Sequence, residues 1–127
     1  MQAMNANYGV SDFLCNFAGQ CTDQADLHFL ALDVALHELV NVNTSEPQPW
    51  RAGPDGELVL TNLSKDCQSL VRFRTGDLVR LTSTDMCQCG RTAPRFRVIG
   101  RTDEMIVVRG VNTYPSSVSA AVLSCPE

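Results

Sequence analysis

Phe73-Arg74-Thr75-Gly76-Asp77 lies between apolar residues, with Leu70 and Val71 before it and Leu78, Val79 and Leu81 after it. Short apolar runs broken at a glycine predict strands near 69–74 and 77–81, joined by a sharp turn that sets one carboxylate at its mouth. Further along, Gly100-Arg101-Thr102-Asp103-Glu104 runs straight into Met105-Ile106-Val107-Val108 and stops at Arg109-Gly110. That pattern predicts a hairpin near 103–109 with its turn at Arg109-Gly110. Outward from this pair, apolar runs predict strands near 57–61 and 95–99. Pro54-Asp55-Gly56 is a turn signal, since proline presets φ and glycine accepts a positive one. Residues 27–42 fit either a helix, by i, i+3, i+4 spacing, or paired strands, by the alternation Leu30, Leu32, Val34, Leu36. Asn41 to Gly56 reads as a loop or wide hairpin connection. Residues 8–21 mix polar and apolar types without a clean period. Tyr114-Pro115-Ser116-Ser117 opens a last helix reaching about Ser124, with proline suited to its first turn. The class is mainly β (α+β), a small and mostly antiparallel unit with one short C-terminal helix.

The chain has 127 residues, 44 % apolar and 19 % charged, which is globular rather than disordered in composition and enough for one modest core. A formal charge of −4 argues against a nucleic-acid or anionic-membrane surface. Eight of the ten basic residues nevertheless fall between Arg72 and Arg109, either as solvated strand faces or as a local anion site. No apolar run approaches the roughly 20 residues of a membrane span. Met1 to Tyr8 carries no basic start and no apolar core of a secretory signal, so cytoplasm is the default location. In that reducing compartment the six cysteines are expected to ligate metal or to be buried, not to form a disulfide framework.

Several residues have the chemistry of a site. Asp77 offers an acceptor-only carboxylate that can take both hydrogen bonds of a vicinal diol, although a turn aspartate bonding nearby backbone would look the same. Arg101, 24 positions later, carries a planar fork suited to phosphate or ribose oxygens, or else decorates a strand surface. Cys87-Gln88-Cys89-Gly90 places two thiolates one residue apart, with a glycine to relieve the backbone around them. Two more ligands would close a tetrahedron, and free buried cysteines are the alternative.

In this order and spacing the strings resemble the adenylate-forming enzymes (acyl-CoA synthetases, nonribosomal adenylation domains, luciferases), most closely the phenylacetate–CoA ligase branch. Asn7-Tyr8-Gly9-Val10-Ser11-Asp12 sits where that family has Tyr-Gly-x-Ser/Thr-Glu, with Asp12 in place of the usual glutamate. Gly56-Glu57-Leu58-Val59-Leu60-Thr61 is similar to its Gly-Glu-Leu strand. Arg109-Gly110-Val111-Asn112-Thr113-Tyr114-Pro115 is close to its Arg-Gly-Val-Asn-x-Phe-Pro string.

The resemblance implies two strands within 27–42 and a barrel-like antiparallel β subdomain over 1–102. Residues 103–127 would form a hinge and the start of the small C-terminal domain. It implies the C-terminal part of the large domain only, without the phosphate loop or the lysine-bearing small domain, and hence no catalytic residue and no activity alone, with weak nucleotide binding at best. The implied chemistry is ATP-dependent activation of a carboxylic acid to an acyl-adenylate, then thioester formation with CoA. Asp77 would hold the ribose hydroxyls of ATP or AMP, Arg101 would contact the nucleotide, and Tyr8 would stack on adenine. Ser11 and Asp12 would meet phosphate and Mg²⁺, Asp103 would be the hinge, and Gly110 would line the CoA tunnel. Relatives with a Cys…Leu-His pair beside such a knuckle point to Cys21 and His28 as partners of Cys87 and Cys89 around structural Zn²⁺. The rival reading is a zinc-stapled β interaction module without activity, associating with itself or with the remaining enzyme segment.

Overall fold

The computed structural model describes residues 7–21, 25–104, 106–108, 111–113 and 115–124. Eight strands build one sheet: β1 (Asn7–Val10), β2 (Cys15–Gln20), β3 (Leu27–Phe29), β4 (Ala35–Val40), β5 (Pro47–Gln48), β6 (Asp55–Asn62), β7 (Phe73–Ser83) and β8 (Arg95–Arg101). Their order is β1-β2-β3-β8-β7-β6-β4-β5, with every pairing antiparallel. A separate hairpin, β9 (Ile106–Val108) and β10 (Val111–Thr113), precedes the helix α1 (Pro115–Ser124). The expected class, a small antiparallel β unit with one short helix, is the one observed. Residues 27–42 hold two strands, not a helix.

The sheet curls without closing. Tyr8 on the edge strand β1 reaches Asp77 on β7, four places along the strand order, so the ends of this half of the sheet fold toward each other. At the other end, β5 is two residues long and begins with Pro47, which has no N–H to extend the ladder. The barrel-like expectation holds as curvature only. Inside the curl lies an aromatic and aliphatic core of Phe13, Phe17, Phe29, Leu58, Leu60, Val79 and Phe96. Phe29 and Phe96 stack with centroids 4.3 Å apart.

Two sequence expectations need correction. The Arg-Thr-Gly-Asp string is not a turn between strands but a bulge inside one continuous strand, β7, and residues 69–72 lie outside it. Glu57 pairs with Leu78 and Val59 with Arg74, so Leu58 alone faces the three residues Thr75–Asp77. Gly76, at φ +76°, absorbs the extra length while the chain keeps its direction, and pairing with β8 begins at Asp77. The second correction is β2, unread because Phe17, Ala18 and Gly19 are buried in succession and show no alternation.

Five of the clustered arginines are engaged with carboxylates. Arg72 pairs with Glu38, Arg74 with Glu57, Arg80 with Asp55, Arg97 with Asp26, and Arg101 with both Asp77 and Asp103. They tie neighbouring segments together; none of these five presents an unneutralised cation for a broad anion surface. No described helix is long and apolar enough to cross a membrane.

Candidate functional site

The bulge lifts Asp77 to the junction of β1, β7 and β8. Its residue is only 8 % exposed, and both carboxylate oxygens have protein donors. Arg101, its Cα partner on β8, donates from one terminal nitrogen to Asp77 Oδ1 at 2.9 Å. The Tyr8 hydroxyl donates to Asp77 Oδ2. The backbone N–H of Asp77 bonds Thr75 Oγ1 at 3.1 Å, and that hydroxyl donates to the Leu58 carbonyl at 2.8 Å. Burial, then the bond to Asp77, pushes the Tyr8 phenol far above its ordinary range, which keeps it a proton donor.

Arg101 serves two carboxylates at once. Its Nε and its other terminal nitrogen make a bidentate pair with Asp103, at 2.9 and 3.0 Å. That pair raises the arginine and holds the exposed Asp103 carboxyl below its usual value. The structure therefore joins Tyr8, Asp77, Arg101 and Asp103 in one hydrogen-bonded chain. The Tyr8 ring packs edge-on against Phe17 and Phe96, with centroids at 5.0 and 5.8 Å. Ser11 and Asp12 stand exposed on a single 3-10 turn, Ser11–Phe13, directly after β1. Gly110 lies outside the described residues.

The second cluster is the cysteine knuckle. Cys21 follows β2, His28 is the centre of β3, and Cys87 and Cys89 lie in the loop between β7 and β8. Cys21 Sγ is 3.8 Å from Cys87 Sγ and 3.3 Å from His28 Nε2, while Cys89 Sγ is 3.9 Å from the same nitrogen. All four donor atoms lie within 4.8 Å of one another. A zinc tetrahedron with ordinary bond lengths has ligand edges of roughly 3.6–3.8 Å, so the donor set fits that ion in number, chemistry and spacing. Gly90, at φ +85°, lets the knuckle turn: its N–H bonds the Cys87 carbonyl and the Cys87 N–H bonds the Arg91 carbonyl, both at 2.9 Å. Burial lowers His28, favouring the neutral ring that a metal needs. The Arg91 backbone N–H, first among several donors, draws the Cys89 thiol down to about 7.

Sequence reasoning missed the supports of the first cluster: Glu57, Thr75 and Thr102. A signal existed for Glu57, a lone carboxylate at the head of the apolar run Leu58-Val59-Leu60, which must find a partner if that run is core.

No protein-family model matches the chain. Curated relatives do. The phenylacetate-coenzyme A ligase of Thermus thermophilus is 40 % identical over 122 residues, covering 94 % of this chain and 27 % of the relative. That of Escherichia coli is 33 % identical over 118 residues, covering 91 % and 26 %. The chain thus spans about a quarter of the length of the curated relatives it matches. Among solved structures, 2-hydroxyisobutyryl-CoA ligase in the postadenylation state in complex with 2-HIB-AMP superposes with a TM-score of 0.71 at 30 % identity, over 84 % of this chain and 22 % of that one. The open conformation of that ligase in complex with 2-HIB-AMP and CoA gives 0.62 at 28 %, over 85 % and 28 %. On sequence and fold together, the chain belongs to the phenylacetate–CoA ligase-like branch of the adenylate-forming enzymes.

Proposed function

We propose that these residues form one wall of the nucleotide site of an ATP-dependent aryl- or acyl-CoA ligase, which activates a carboxylic acid as an acyl-adenylate and passes it to CoA. The observation that carries this reading is the Asp77 carboxylate, raised on a bulge and oriented from two sides by Tyr8 and Arg101. All three come from strings that resemble the family's motifs. A ribose diol would donate both hydroxyls to Asp77, taking the place of the Tyr8 phenol at Oδ2. Arg101 would keep Oδ1 aligned. Ser11 and Asp12 would reach toward phosphate and Mg²⁺, a hard cation suited to oxygen ligands. Asp103, clamped by Arg101, would be the hinge at which a small domain (beginning about residue 103) turns, and Gly110 would face the CoA channel. Cys21, His28, Cys87 and Cys89 would hold a structural zinc that cross-links two distant segments of chain.

Removing the Asp77 acceptor should weaken AMP by about 1–3 kcal/mol, roughly 5- to 150-fold, because the ligand diol is left unpaired. Calorimetric titration of AMP into the parent and Asp77→Ala measures this, with Tyr8→Phe as the counterpart expected to retain affinity. Equal affinities in the parent and Asp77→Ala would refute the ribose role.

A second reading, a zinc-stapled β module that associates without catalysis, draws on the Cys/His cluster, which needs nothing from the nucleotide wall to form. Stoichiometric zinc in a protein that ignores AMP would favour it.

A further inference from the structure

Glu57 is 2 % exposed, in a strand whose next three residues are all core. A buried carboxylate is costly unless it is paired and fully hydrogen-bonded, and an apolar residue would ordinarily serve a central strand better. Glu57 meets both conditions, and its second partner is the informative one. Oε2 accepts from Arg74, with Nε at 2.8 Å. Oε1 accepts the backbone N–H of Gly76 at 3.2 Å.

Gly76 is the residue that makes the bulge. From the opposite side its carbonyl accepts the Thr102 N–H at 2.7 Å and the Thr102 hydroxyl at 3.2 Å. Both polar groups of this one residue are therefore fixed by other segments, β6 on one side and Thr102, just past the end of β8, on the other. A bulge interrupts the ladder and leaves such groups without a strand partner, so the partners supplied here decide where the next residue points. That residue is Asp77.

We propose that Glu57 is a positioning residue: by accepting the Gly76 N–H it sets the bulge that aims the Asp77 carboxylate at the nucleotide. This rests on the reading of Asp77 as the ribose acceptor. The demand on position 57 is for an acceptor oxygen toward Gly76. The negative charge serves Arg74. Glutamine beside Arg74 cannot satisfy both neighbours, because an amide has one acceptor oxygen and its nitrogen would face a donor. With the arginine also removed, glutamine can turn its oxygen to Gly76, whereas leucine of similar volume cannot.

The test compares E57Q/R74M with E57L/R74M. Neither leaves an unpaired buried charge, because Glu57 is the buried member of the pair and Arg74 is half exposed. Three readouts are taken on each: the AMP dissociation constant, the Gly76 amide exchange rate and the melting temperature. E57Q/R74M should resemble the parent in the first two. E57L/R74M should melt no lower than E57Q/R74M, yet bind AMP roughly tenfold more weakly and exchange the Gly76 amide faster, by loss of one hydrogen bond. A merely structural glutamate would move the melting temperature and leave that difference absent. Equal AMP affinity in the two variants, or equal protection of Gly76, would overturn the proposal. A parent protein that binds no AMP would overturn the ribose reading, and with it the aiming of Asp77; Gly76 exchange would then separately report whether Glu57 holds the bulge.

Discussion

Cys87→Ser is expected to release zinc and to lower the melting temperature by about 10 °C or more. The four donor atoms come from the end of β2, from β3 and from the loop before β8, so an ion between them ties residues near 21–28 to residues near 87–89. The unfolded chain has no such site, and binding energy becomes folding energy. A metal present at a thousandfold excess over its dissociation constant stabilises the folded state by about 4 kcal/mol. Serine removes a thiolate and leaves three ligands around a position enclosed by Cys21, His28 and Cys87, none more than 5 % exposed. Metal analysis and calorimetry on the same sample check both effects. Parent protein purified without chelator should carry about one zinc, and Cys67→Ser, at an exposed cysteine outside the cluster, should change neither quantity. Well-folded parent without metal, or a Cys87→Ser variant that melts like the parent, would return these residues to ordinary burial.

What was legible in the sequence follows from which interactions are local. The strands of Leu58-Val59-Leu60 and of Leu78, Val79 and Leu81 announce themselves by their apolar residues, and the helix by a proline at its first turn. The β2 strand does not, because both of its faces are covered and burial erases the period of two. The glycine in Arg-Thr-Gly-Asp signals a positive φ but not what the chain does next. A turn and an in-strand bulge ask the same of that residue, and the register of a neighbouring strand decides between them. Asp77 and Arg101 could be named from motif spacing. Their junction with Tyr8 is a product of the sheet's curl, which brings together positions 69 residues apart in sequence. Asp103 was placed as a hinge by resemblance; its clamp by Arg101 is visible only in three dimensions.

The seam of this curled sheet is where a core substitution should be felt most. β3 joins β8 through only two Cα pairs, Leu27 with Phe96 and His28 with Arg95. On one side lie β1 to β3, with Tyr8; on the other lie β8 and β7, with Arg101 and Asp77. Phe96 fills the seam: fully buried, it stacks on Phe29 of β3 and meets the edge of Tyr8. Phe96→Ala should therefore destabilise the protein by about 3–5 kcal/mol, the range for a buried aromatic whose neighbours cannot collapse into the space. Urea unfolding measures it, and a loss below about 1 kcal/mol would show that the two halves do not depend on this ring. The knuckle crosses the same seam, since it links His28 on β3 to the loop that leads into β8. Phe96→Ala and Cys87→Ser should then fail to add, each releasing part of what the other holds. Leu39→Ala, on β4 away from the seam, should add to Cys87→Ser within about 0.5 kcal/mol. Strict additivity of the Phe96 and Cys87 variants would mean that ring and metal stabilise separate parts of the fold, and that the alignment of Tyr8 with Asp77 does not depend on the seam they share.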